Sequence, residues 1–268
     1  MKRKTTWLIL GSLVVLAVIF TSCSSQTPGG SGGNSAITGT TTYSQSGGTV
    51  AKSNQTITAS KQNESAVKIT NSGVFTLTDS IVSKSGDTSS MDDSSFYGLN
   101  AAILAESGSK ITFSNVTITT TGSGANGVFA TGQGSIINLT DVTINCTSTG
   151  AHGVDTPMAG ILNLTNVDIT TAGNGASAGI ATDRGGGTID VTGGTVTTSG
   201  TKSPPIYSTG KITVSGAIME ATNSEAVAIE GKNSVTLTNT TISGAKNWGV
   251  LIYQSMSGDA EVGTGILQ

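Results

Sequence analysis

The feature that most constrains this chain is a set of apolar triplets that recur along it in fixed columns. Their central residues are Leu77, Phe113, Leu139, Leu164, Val191, Val214 and Leu237, spaced by 36, 26, 25, 27, 23 and 23 residues. Apart from the first interval, which carries an insertion, the period is 23–27 residues, and a fixed period of this size marks stacked repeats. Two positions before each marker stands another apolar residue: Phe75, Ile111, Ile137, Leu162, Ile189, Ile212 or Val235. One polar residue separates the two columns, which is the alternation of a half-buried strand. Two positions after the marker stand Asp79, Asn115, Asp141, Asn166, Gly193, Gly216 and Asn239. These residue types enter left-handed backbone conformations at least cost, so the column predicts a corner. Apolar character returns five positions after the marker, at Val82, Ile118, Ile144, Ile169, Val196, Met219 and Ile242. A third short segment lies upstream of the markers, in 127–130, 153–154 and 179–181, and again in 249–252.

Three short strands and three turns per repeat make one coil of a parallel β-helix, stacked at the ~4.8 Å strand spacing so that each column becomes a ladder. The expectation is an all-β, single-stranded solenoid of seven to eight coils with three short strands each, covering 49–268, in a rod about 35 Å long. Composition agrees. Serine, threonine and glycine account for 116 of 268 residues and only 35% is hydrophobic, which disfavours helical and α/β architectures. Disorder, the other outcome of such a composition, does not produce coincident columns. Residues 256–268 provide no evident cover for the last coil, so the C-terminal end is expected to be truncated or closed by a partner.

The repeat resembles the right-handed parallel β-helix proteins of the pectin-lyase-like superfamily, and within it the adhesin-like proteins of bacterial surfaces. Handedness comes with that resemblance and not from the columns. It implies no single activity, because lyases, glycosidases, phage tailspikes and passive adhesins share the scaffold.

The N-terminus carries an address. Lys2, Arg3 and Lys4 precede an apolar run at 7–20, too short to span a bilayer comfortably, which predicts a signal peptide over 1–22. The run ends in Phe20-Thr21-Ser22-Cys23, which resembles the lipobox of bacterial lipoproteins apart from Phe20, where that family prefers Leu. The resemblance implies lipidation of Cys23 and an envelope location, outer membrane or cell surface. Residues 23–48, rich in Ser, Gly and Thr, are expected to tether the anchor to the folded body. Without the leader, ten basic residues face sixteen acidic ones, a net charge of −6. That excludes a basic footprint for nucleic acid. Acylation of Cys23 would leave Cys146 as a lone structural thiol.

Candidate chemistry is sparse. Asp155 falls on the upstream strand of one coil, Asp183 and Arg184 follow the equivalent strand of the next, and His152 precedes Asp155 by three residues; together they form the best catalytic constellation. The alternative has Asp183 and Arg184 opening the Gly185-Gly186-Gly187 turn and His152 solvated in its own turn. The insertion at 85–100 brings Asp87, Asp92 and Asp93, candidates for Ca²⁺ although their spacing matches no specific loop. It also brings Phe96 and Tyr97, candidates for stacking on a sugar or for closing the loop onto the coil. Asp141 reads as structural at its corner, and Asp168 and Asp190 point to different sides. The expected function is a lipid-anchored, non-catalytic, adhesin-like solenoid presenting a polar face and one loop to glycan or matrix protein, with no cofactor beyond that Ca²⁺. The alternative is a carbohydrate-active lyase or glycosidase. A structural spacer, or an ice-binding protein using the Thr-x-Thr pairs, follows behind.

Overall fold

The computed structural model describes residues 36–246 and 248–268. The segments expected to be signal peptide, lipobox with Cys23 and tether lie, as far as residue 35, outside the described residues. The rest is an all-β parallel solenoid of about nine turns. In the upstream ladder nine strands stack in order of sequence, from Thr40–Ser46 through Glu64–Thr70, Ile103–Ala105, Val128–Ala130, Val154–Asp155, Ile180–Thr182, Ile206–Ser208 and Val227–Glu230 to Val250–Tyr253. A marker ladder and a ladder beyond the corner complete each coil. They join because Val74–Lys84 and Lys110–Thr120 each run through both.

The columns are the register. Leu77 pairs with Phe113, Phe113 with Leu139, Leu139 with Leu164, Leu164 with Val191, Val191 with Val214, and Val214 with Leu237. All are buried except Leu237, which is half-buried against the core. Every predicted corner is left-handed, from Asp79 (φ 50°) and Asn115 (φ 53°) to Asn239 (φ 48°). The corner side chains also bond along the stack: Asn115 Nδ2 donates to Asp79 Oδ1 at 2.7 Å and Asn166 Nδ2 to Asp141 Oδ1 at 2.6 Å. At Gly153 a Cβ would lie 2.6 Å from the Gly179 carbonyl oxygen of the next coil. Only glycine allows the coils to approach so closely there.

The folded body begins nine residues before the Thr49 boundary, because Thr40–Ser46 is already a strand paired with Glu64–Thr70. The first coil is disguised by its polar end. Lys52 occupies the marker column opposite Leu77, and its ammonium lies 5.2 Å from the centroid of the Tyr43 ring. Tyr43 in turn packs on Phe75 at 5.0 Å. A cationic, aromatic first coil is the polar terminal cap that a solenoid requires. At the other end Ile266–Leu267 adds a last strand to the marker ladder, beside Ser234 and Val235. Ile252 (46% exposed) and Trp248 (61%) remain uncovered.

The insertion folds as helix α1, Met91–Tyr97. Ser90 caps it by accepting from the Asp93 amide, Asp92 and Asp93 complement the helix dipole in the first turn, and Gly98 (φ 73°) terminates it. The helix lies on the outside of the upstream ladder. There Ala101, Leu104 and Phe129 form a small apolar cluster separate from the main core. Lys84, at the root of the insertion, is buried and donates to the carbonyls of Gly86 (2.6 Å) and Lys61 (3.0 Å). Burial lowers its pKa to about 8.

Candidate functional site

The upstream strands alternate like the others, so one residue in two faces outward. Register aligns Leu104, Phe129, Asp155, Ala181, Tyr207, Ala228 and Leu251 in one outward column. Helix α1 covers the start of this column. Beyond α1 a cleft of about 580 Å³ opens, with Phe96, His152, Asp183, Tyr207, Glu225, Tyr253 and Asp259 among its lining. Its volume falls in the range of small-ligand sites.

His152, Asp155 and Asp183 meet at the cleft. One side-chain ligand atom from each lies within 4.8 Å of the others, and all three residues are buried. His152 is 2% exposed, which overturns the expectation of a solvated turn histidine. Its placement follows from the repeat. Asn126, one coil earlier, accepts the His152 amide through Oδ1 at 2.8 Å, and His152 Nδ1 accepts the Ala178 amide at 2.9 Å in the next coil. An amide can donate only to an unprotonated nitrogen, so the neutral ring carries its proton on Nε2. That nitrogen is 3.6 Å from Asp183 Oδ2. Burial lowers the pKa of His152 to about 4, keeping it neutral. With Nδ1 engaged and Nε2 protonated, His152 turns its N–H edge toward a carboxylate that lies just beyond hydrogen-bond length, and is poorly suited to be a metal ligand.

Asp155 is fully buried. Its Oδ1 accepts the Asp183 amide at 3.3 Å, and its Oδ2 has no hydrogen-bond partner. Burial first, and then the charge of Asp183, raise its pKa well above the usual carboxylate range. Asp183 lies on the cleft lining. Its pKa is pushed up to about 7 by burial and by the charges of Asp259 and Glu230, against the pull of Arg184. The two carboxyls are therefore not equivalent: Asp155 lies behind with its pKa raised, and Asp183, at about 7, is placed where a ligand can reach it.

The turn reading of Arg184 is also incomplete. Its guanidinium lies 3.8 Å from the Phe96 ring centroid and bonds Asp259 Oδ1 through Nε and Nη2, both at 2.9 Å. It thus ties α1 to the segment after Tyr253. Glu230 is a third buried acid at the cleft, 2% exposed. Oε2 accepts from Tyr207 (2.7 Å) and Tyr253 (3.0 Å), and Oε1 from Ser257 (3.0 Å) and Ser255. Burial would raise its pKa, but these four hydroxyls together hold it below the ordinary glutamate value. Burial and the Glu230 charge push the Tyr253 phenol up to about 12, and burial pushes Tyr207 up as well.

The insertion aspartates do not converge. Asp87 accepts the Ser123 amide at 2.8 Å, Asp93 accepts the Ile37 amide at 2.9 Å, and Asp92 lies exposed in the first turn of α1. Each serves the loop or the helix separately, and the structure assembles no Ca²⁺ set from them. Phe96 and Tyr97 separate as well: Phe96 lines the cleft, whereas Tyr97 (43% exposed) borders a smaller hollow beside Lys68 and Glu106. Tyr207, Glu230, Tyr253 and Asp259 escaped the sequence reading. Extending the upstream column through 206–208 and 227–230 would have found the first two. No family model, curated protein or solved structure matches this chain. The solenoid stands on its own geometry, and the superfamily and adhesin resemblances rest on the repeat alone.

Proposed function

We propose that this chain is an exported solenoid, anchored to the cell envelope through a lipid on Cys23, that holds an extracellular glycan in the cleft and cleaves it by acid–base chemistry at Asp183. The observation that carries this reading is the unequal carboxyl pair beneath an aromatic-edged cleft. General acid–base catalysis works best with a group whose pKa lies near the working pH. In its acid form Asp183 gives a proton to the glycosidic oxygen as the carbon–oxygen bond breaks. Water adds to the anomeric carbon and returns a proton to the Asp183 carboxylate. His152 and Asp155 are positioning residues, and Phe96, Tyr207 and Tyr253 offer ring faces and edges to a sugar.

A passive, adhesin-like role is the second reading, favoured by a specific observation. Arg184 is committed to Asp259 and Glu230 is saturated by hydroxyls, so neither is free to act as the base of a lyase. The test is to incubate the full-length chain with immobilised polysaccharides and record retention and released oligosaccharide together. Release that disappears in Asp183→Asn while retention persists supports the enzyme. Retention without release from the unaltered chain supports the adhesin and removes Asp183 from any catalytic role.

A further inference from the structure

The polar groups around the cleft are mostly hydrogen-bond acceptors, and acids outnumber cations among them. Asp183, Glu225 and Asp259 line it, with Glu230 buried behind Tyr207 and Tyr253 and Asp155 behind Asp183. The tyrosine hydroxyls both spend their protons on Glu230, leaving oxygen lone pairs for a ligand. His152 is neutral and aims its one N–H at Asp183. Arg184 is held by Asp259 and lies over Phe96, which leaves Lys202 as the cation on the lining. Glu225 receives one hydrogen bond, from the Ser224 hydroxyl at 3.0 Å, and among the described residues no ion pair engages it. Asp155 Oδ2 is fully buried with nothing bonded to it.

A ligand that fits such a wall must supply donors and positive charge. Polyuronates do the reverse, bringing carboxylates into a negative, partly desolvated cleft where like-charge contacts are costly. We infer that the cleft takes a glycan bearing free amino groups, a glucosamine-type polymer, with a protonated amine set against Glu225 and the rings of Phe96, Tyr207 and Tyr253 beside it. This inference rests on the proposed glycan-binding role and narrows it to one substrate class.

The test measures binding of three oligosaccharide probes of equal length to the full-length chain, at a pH where amines are protonated: chitosan fragments with free amines, the same fragments fully N-acetylated, and oligogalacturonate. The free-amine probe is expected to bind at least about tenfold more tightly than either other probe, to weaken with added salt, and to lose most of that advantage in Glu225→Gln. Glu225 is partly exposed, so this variant should fold, and an unchanged melting temperature checks that it has. Equal or tighter binding of the acetylated or uronate probe overturns the amine assignment and leaves the glycan reading standing. Binding of none of the three overturns both. An undiminished preference in a folded Glu225→Gln overturns the role given to that residue.

Discussion

The corner column and the outer face of the upstream ladder belong to the same coils, yet they solve opposite problems. At the corner each coil repeats one answer: a left-handed Asp, Asn or Gly, exposed or nearly so, whose side chain, where it has one, can bond its neighbour in the stack. On the upstream face the outward column changes with every coil, from Phe129 to Asp155, Ala181 and Tyr207. There the side chains are covered by α1 or edge a cleft, and several are ionisable. Regularity stabilises the rod, because identical corners add along it. Departure from regularity, together with burial that regularity does not require, marks where the proposed ligand chemistry sits.

The contrast can be broken by substitution on either side. The largest effect is expected from Asp183→Asn, which should reduce glycan release by about 10²–10⁴-fold with retention little changed; steady-state release assays check it. On the corner side, Asn166→Val places a β-branched residue at φ 52° and should cost about 1–3 kcal/mol. Calorimetry should then record a melting temperature lower by roughly 3–8 °C, with binding of glycan by the surviving folded protein unaltered. An unchanged melting temperature would count against the strain assigned to that corner.

A third comparison uses pH. The folded pKa of Asp183, about 7, lies above its ordinary value of 3.8, so the folded state holds the proton more tightly. The stabilisation this gives is complete below pH 4 and is lost as pH rises to 7. Asp183→Asn should therefore melt at nearly the wild-type temperature at pH 4, and roughly 3–8 °C above it at pH 8. His152 acts in the opposite sense. Its folded value, about 4, lies below its ordinary 6.5, so its contribution is present above 6.5 and fades as pH falls through 4. The smallest effect should come from Thr112→Ala on the exposed face of the marker ladder, within about 0.5 kcal/mol. Loss of glycan retention in that variant would move the binding surface from the cleft to the threonine face.

The marker, pre-marker and corner columns were legible because each is set by a local alternation that repeats without interruption. The ends were not. Lys52 stands where the marker column calls for an apolar residue, and it hid the first coil. The site was half legible. Asp155, Asp183 and Arg184 could be placed on successive coils, but Tyr207 and Glu230 follow Pro204-Pro205 and Ser224-Glu225, which lack the glycine that announces the upstream strands at 128, 154, 180 and 250. His152 looked solvated because sequence does not reveal that the next coil places the Ala178 amide against Nδ1. Asp259 reaches the site from beyond the last full coil, a long-range contact that no periodicity encodes.

The most direct test of the account is a ¹³C NMR titration of the Asp183 carboxyl in the otherwise unaltered chain, assigned by comparison with Asp183→Asn. A midpoint near 7 would establish a proton-poised acid on the upstream face. A midpoint near the ordinary aspartate value would mean that this face is solvated like the corner, and the cleft would lose its claim to acid–base chemistry.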